Sequence, residues 1–298
     1  MGRTPRADPD VNGLAVVDKP SGWTSHDVVA RCRRLLGTRK VGHSGTLDPG
    51  ATGVLLVGAG TATRLLRFLG DLPKTYVGEV VLGSTTTTLD DEGDVVATFD
   101  MGGVSLAEAR VASSSLVGEI RQVPPMVSAV QVGGRRLHEL ARAGIEIERE
   151  ARPVTVHALN LEAADSPQVL RMTVTCSSGT YVRVLAADLG VLLGGGAHLR
   201  RLRRTAIGPF DGAAAVALDD VSPACLLPPL AAVGHLPRVE VDEEGAAAVG
   251  HGKVLPAWEG SGPWAVTGAA GDLLAVYEPF RTGLAKPAVV TAARAPGP

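Results

Sequence analysis

The sequence predicts a mixed α+β fold with a small β-rich unit at its C-terminal end. Strand-like and helix-like stretches follow one another without a regular βαβ rhythm, which favours a mixed, largely antiparallel sheet over a doubly wound one. A chain of 298 residues with 45% hydrophobic content can fill one large core and a smaller one. After His235 the texture changes to short strands separated by Gly and Pro. The expected organisation is a flexible stretch over 1–12, a main domain over 13–235 and a small domain over 236–298.

Leu14 to Asp18 reads as a short buried strand, stopped by the turn Lys19-Pro20-Ser21-Gly22. Ser25 is placed to cap a helix whose apolar residues Val28, Val29, Cys32, Leu35 and Leu36 share a face, and Gly37 ends it. Lys40 to Thr52 is glycine-rich and without helical period, hence a loop. Val54 to Val57 resumes as a strand, Thr61 to Leu69 as a short helix, and Tyr76 to Leu82 as a strand with one buried face. Ser105 and Glu108 form a capping-box pattern before a helix to about Leu116. Beyond Pro124-Pro125 lies a basic segment with a helical stretch, Leu137 to Ala143. Val154 to Leu161 and Val169 to Cys176 are strands, Tyr181 to Leu193 a helix, and His198 to Ile207 a basic strand. The C-terminal strands are Arg238 to Val241, Trp264 to Thr267, Leu273 to Glu278 and Ala288 to Thr291.

No stretch approaches the ~18–20 apolar residues of a spanning helix, and Met1 to Asp10 carries charges and prolines unlike a signal peptide. A soluble, cytoplasmic protein is expected. Cys32, Cys176 and Cys225 lie far apart, so neither a structural disulfide nor a zinc site is expected. The net charge of -2 says little about partners, but basic residues cluster. One cluster holds Arg31, Arg33, Arg34, Arg39 and Lys40, a second Arg135 and Arg136, a third Arg200, Arg201, Arg203 and Arg204. Each reads as a solvated face or as a phosphate contact.

The densest segment is Lys40-Val41-Gly42-His43-Ser44-Gly45-Thr46-Leu47-Asp48-Pro49-Gly50-Ala51-Thr52-Gly53. Glycines mark sharp turns or close approach, and Pro49 biases Asp48 away from helical geometry. An acid held in such a loop suits a fixed nucleophile; an Asp that merely bonds turn amides is the alternative. A phosphate-binding P-loop is disfavoured, because Ala51 stands where its lysine belongs and Asp48-Pro49 supplies a negative charge and a missing amide. Lys74-Thr75-Tyr76 places an aromatic on a strand, as core or as a stacking surface. Arg183 opens an apolar helix, where a buried Asp partner or a surface ion pair would account for it. Leu202 sits between arginine pairs, as a pocket wall beside a phosphate track.

Taken together these segments resemble the TruB family of pseudouridine synthases. The markers run in order: Asp18-Lys19-Pro20-Ser21-Gly22; Val41 to Pro49; Lys74-Thr75-Tyr76; Leu82-Gly83 with Thr86, Thr88 and Asp90; Pro124-Pro125 with Ser128-Ala129; Ser178 to Arg183; and Leu199 to Thr205. The resemblance covers roughly 13 to 210. It implies a pseudouridine-synthase type catalytic domain, an RNA-clamping insertion at about 122–152 and a PUA-like C-terminal domain. The implied activity is isomerisation of uridine 55 in the tRNA T-loop, on a flipped-out base, without cofactor or metal. The implied partner is the T-arm of tRNA, with no membrane, no obligatory protein partner and a monomeric state.

Residue by residue, the resemblance makes Asp48 the catalytic carboxylate, Tyr76 the ring that stacks on the base and is able to assist proton transfer, and Arg183 the partner of Asp48. His43 would contact RNA where the target leaves its stack, and Leu202 would line the pocket. Tyr181, Lys19, Gly45, Thr46, Arg201 and Arg204 complete the implied substrate contacts. Gln131 and His138 depart from the lysine and tyrosine common in the family's insertion. A noncatalytic RNA-binding module and a guide-dependent relative are the competing readings.

Overall fold

The computed structural model describes residues 11–128, 131–132, 134–136, 145 and 147–291. The stretch 1–10, the helix expected over Leu137 to Ala143 and the departure at His138 lie outside the described residues, as does the side chain of Gln131.

The strands are β1 (Gly13–Lys19), β2 (Val41–Ser44), β3 (Thr52–Ala59), β4 (Lys74–Leu82), β5 (Ser84–Thr86), β6 (Val95–Thr98), β7 (Gly118–Gln122), β8 (Gln131–Val132), β9 (Arg135–Arg136), β10 (Arg152–Ala163), β11 (Val169–Cys176), β12 (Ala197–Ile207), β13 (Phe210–Asp211) and β14 (Val216–Ala217). The C-terminal strands are β15 (Arg238–Glu240), β16 (Leu255–Pro256), β17 (Trp264–Thr267), β18 (Leu273–Arg281) and β19 (Leu284–Val290). The α-helices are α1 (Ser25–Leu35), α2 (Leu106–Ser113), α3 (Val182–Leu192) and α4 (Glu243–Gly250).

The main sheet runs β14-β1-β3-β12-β4-β11-β10-β7, with β2 paired to β3 and β13 to β12. β1 pairs antiparallel with β3, β3 parallel with β12, and β12 antiparallel with β4. The sheet is thus mixed and mostly antiparallel, as expected. On β1 and β3 alternate residues enter two different cores: Ala15, Val17, Leu55 and Val57 meet Val28, Val29 and Cys32 of α1, while Leu14, Val16, Val54 and Leu56 face the other way. Burial on both faces explains why these strands read as unbroken apolar runs. β4 alternates instead, with Tyr76, Val80 and Leu82 buried against Val182, Leu185 and Leu189 of α3.

The smaller sheet, β15-β17-β18-β19-β16, also has two faces. Ala265, Leu273, Val276 and Val289 share a core with Leu65, Leu66, Leu69 and Phe210 of the main body. Trp264, Tyr277 and Ala285 pack with Val249 of α4 on the opposite side. An ion pair between Arg67 and Glu278 spans the same junction.

Local differences from the sequence reading have simple causes. Thr24, not Ser25, caps α1, forming a capping box with Asp27; Ser25 turns inward instead. The loop expected from Lys40 contains β2, whose two central residues are Gly42 and His43 and whose pairing to β3 is a tertiary event. Thr61 to Leu69 forms two 3-10 turns rather than one helix. The last strand begins at Leu284, four residues earlier than Ala288. The hairpin of β5 and β6, and α4, were not anticipated.

Candidate active site

Asp48 lies in the loop between β2 and β3, and three groups hold that loop from behind. The Lys19 ammonium, fully buried, donates to the carbonyls of Pro20 (3.0 Å), Trp23 (2.6 Å) and Pro49 (3.0 Å). Ser25 Oγ accepts the Leu47 N–H at 2.9 Å. Arg204, 1% exposed, donates to the carbonyls of Val54 (2.8 Å) and Gly45 (2.9 Å), and at longer range to that of Thr46 (3.5 Å). Gly45 has φ +77, and a Cβ there would sit 3.4 Å from the Arg204 guanidinium.

In front of the loop, Arg183 Nη2 lies 3.0 Å from Asp48 Oδ2. The same guanidinium donates to the carbonyls of Thr88 (2.8 Å) and Val127 (2.9 Å), and Nη1 lies 3.5 Å from Asp90 Oδ2. Asp90 also accepts a short hydrogen bond from Thr88 Oγ1. Arg183 is therefore a four-way anchor, with one nitrogen shared by Asp48 and the Val127 carbonyl and the other by the Thr88 carbonyl and Asp90.

Asp48, Tyr76, Arg183, Leu202, Tyr181 and Arg204 line one cavity of about 230 Å³. This is below the ~300–1,000 Å³ of pockets that take drug-sized ligands and suits a single planar base. Tyr76 is 8% exposed, and burial raises its hydroxyl pKa. The Arg204 guanidinium stands 6.0 Å from the Tyr76 ring centroid. The Tyr181 N–H donates to Gln122 Oε1 at 2.9 Å, which fixes the turn into α3.

Gly45 and Thr46 also line this cavity; Lys19, His43 and Arg201 do not. Lys19 and Arg204 spend their donors on loop carbonyls, which makes them braces of the loop. The basic strand is largely neutralised internally: Arg203 forks onto Asp18 at 2.9 and 2.8 Å, and Arg200 and Arg201 share Glu79. Only Arg201 of these four is well exposed, at 71%. On α1 and the turn after it, Arg34, Arg39 and Lys40 are exposed.

Asp90 and Lys74 belong to the site although residue order assigns them no role. Asp90 stood among the markers, but only the fold brings it to Arg183. Lys74 lines the cavity while its buried ammonium donates to the carbonyls of Gly70 and Leu72, both at 2.8 Å. Burial lowers the pKa of Lys74, and likewise that of Lys19, to about 8.

Residues 33–182 match the TruB family pseudouridylate synthase N-terminal domain model. Residues 183–228 match the tRNA pseudouridylate synthase B C-terminal domain, and 236–292 the tRNA pseudouridine synthase II C-terminal domain. The tRNA pseudouridine synthase B of Thermobifida fusca is 45% identical over 290 residues, covering 94% of this chain and 99% of that protein. This chain belongs to the TruB family. The TruB relative from Symbiobacterium thermophilum, also a tRNA pseudouridine synthase B, is 50% identical over 83% of this chain and 84% of its own length.

Among solved structures, a Cbf5-Nop10-Gar1 complex contains a chain that is 29% identical, with a TM-score of 0.71, covering 91% of this chain and 79% of that one. A chain of an H/ACA RNP bound to a substrate RNA containing 2'-deoxyuridine is 25% identical with a TM-score of 0.72, over 95% of this chain and 86% of that one. The TruB fold is thus set by both sequence and structure comparison. Among the described residues no helix is long and apolar enough to cross a membrane.

Proposed function

We propose that this chain isomerises uridine 55 in the T-loop of tRNA to pseudouridine, with Asp48 as the catalytic carboxylate. The observation that carries the assignment of residues is the convergence of Asp48, Tyr76 and Arg183 on one base-sized cavity. Names shared with relatives at 45–50% identity support the reaction.

The reaction breaks the bond from the ribose to ring nitrogen and remakes it to a ring carbon, so the uracil must detach, turn and reattach without escaping. An ionised carboxylate serves as nucleophile or as base toward the sugar; both roles need it aimed and charged. Arg183 aims it, and Lys19, Ser25 and Arg204 fix the loop that carries it. Tyr76 and Leu202 clasp the two faces of the extruded base, and stacking of roughly 1–3 kcal/mol per base offsets an extrusion cost of a few kcal/mol. His43 fills the place the nucleotide leaves, and Arg201 and the exposed arginines near α1 contact phosphates.

The enzyme works on tRNA alone, as a monomer in the cytoplasm and without an added cofactor. Purified protein incubated with a bare T-arm transcript, followed by mass mapping of pseudouridine, tests this. Product at the position of uridine 55 is expected. Binding without product would favour a noncatalytic module, and product only with added guide RNA and partner proteins would favour a guide-dependent enzyme.

A further inference from the structure

We propose that His26 is a positioning residue for RNA recognition, holding the His43 ring in the orientation it needs where the target nucleotide leaves its stack. The inference rests on the function proposed above. His43 lies on β2, directly ahead of the loop that carries Asp48. Its Nδ1 is buried and finds no hydrogen-bond partner among the described residues. An imidazole is ordinarily oriented by a hydrogen bond at one of its nitrogens; that restraint is missing here at Nδ1. What stands against the ring is His26, in the first turn of α1, with centroids 5.4 Å apart and planes at 87°. An edge-to-face contact of this kind selects a ring rotation without engaging a polar atom.

The placement of His26 follows from its neighbours. The Thr24–Asp27 capping box pins the start of α1, and Ser25 ties that start to Leu47 of the catalytic loop. One residue of the turn therefore tethers the loop while the next orients the ring beside it. Burial, with smaller contributions from His26 and Arg204, lowers the His43 pKa to about 4, so the ring is neutral at neutral pH. A neutral ring can take the place of a base in a stack without carrying a charge into it. His26 itself is exposed, at the start of α1.

The test uses the full chain and a T-arm hairpin with 2-aminopurine beside the target uridine. Fluorescence then reports extrusion, and single-turnover pseudouridine formation reports chemistry. His26→Ala should slow both by about three- to tenfold, the range expected for loss of one edge-to-face contact, with hairpin affinity unchanged and the melting temperature lowered by no more than that one contact accounts for. His26→Phe should restore the rate because the ring edge returns. The double variant with His43→Ala should be no slower than His43→Ala alone.

A His26→Ala rate equal to wild type, a folded His26→Phe that fails to recover, or a defect additive with His43→Ala would each overturn the proposal. These outcomes require wild-type protein that makes pseudouridine in the same hairpin. A wild-type chain that makes none would overturn the functional reading itself, and this inference with it.

Discussion

The Arg183 guanidinium lies 3.0 Å from the Asp48 carboxylate, yet the arginine is 4% exposed and the aspartate 45%. The pair is a buried cation presenting itself to an acid that still faces the cavity. Water on its open side screens the attraction, so the pair contributes little to stability. Its value lies in aiming one carboxylate oxygen while leaving the group reachable.

Asp48→Asn keeps the size and one acceptor oxygen but removes the charge. Affinity for a T-arm hairpin should stay within error of wild type, while single-turnover formation of pseudouridine should fall by several orders of magnitude. A residual rate near wild type would remove Asp48 from the chemistry.

Tyr76→Phe keeps the ring on β4 and loses the hydroxyl. If the hydroxyl carries a proton, the single-turnover rate falls by about 10²-fold with hairpin affinity preserved. A wild-type rate would leave Tyr76 as a stacking surface only. Tyr76→Ala should in addition lose roughly 1–3 kcal/mol of base stacking.

Arg183→Ala strips donors from the carbonyls of Thr88 and Val127 and the cation from Asp90. Both acceptors are only partly buried, so water recovers part of the loss, and urea denaturation should show a drop of about 1–3 kcal/mol. Activity should fall further than the folded fraction does, because Asp48 is no longer aimed. Arg183→Lys should regain part of the stability and little of the rate, lacking the fork.

Lys19→Met leaves the carbonyls of Pro20, Trp23 and Pro49 without their shared donor. The loop carrying Asp48 should loosen, lowering kcat more than it raises KM. Equal kcat with a changed KM would instead put Lys19 in contact with RNA.

His43 makes a definite pH prediction. Its folded pKa, lowered by burial to about 4 from 6.5, means that between these values the unfolded chain binds a proton the folded chain refuses. Stability from this group is therefore complete above pH 6.5 and is lost as pH falls toward 4. Allowing for the ring's partly exposed position, the effect is about 1–2 kcal/mol. Between about pH 7 and pH 4 wild type should lose this stability and His43→Phe should not, so the difference between their melting curves should shift by that amount across the window; parallel pH profiles would remove the assignment.

Much of this was legible in residue order. Alternation on Tyr76 to Leu82, the capping box at Ser105 and Glu108, and the glycines around Asp48 each encode local geometry. What residue order left open was side-chain direction along β12. Arg200, Arg201, Arg203 and Arg204 read alike, as a solvated face or as phosphate contacts, but in the fold Arg204 turns inward to the loop carbonyls while the other three meet Glu79 or Asp18 and Arg201 stays exposed. Two register shifts in the pairing of β12 with β4, and positive φ at Arg201, break the simple alternation that would have told the faces apart.

The sequence alone determined the kind of protein: which segments bury, where the rigid acidic loop falls, and the residue types able to act on a base. Periodicity and turn chemistry are local, so they survive in the order of residues. Only the tertiary structure decided that Arg183 joins Asp48 to Asp90, that Lys19 and Arg204 brace the loop, and that His26 meets His43. Those contacts join segments that lie 17 to 159 positions apart, and long-range pairing depends on how the sheet closes, which no local pattern records.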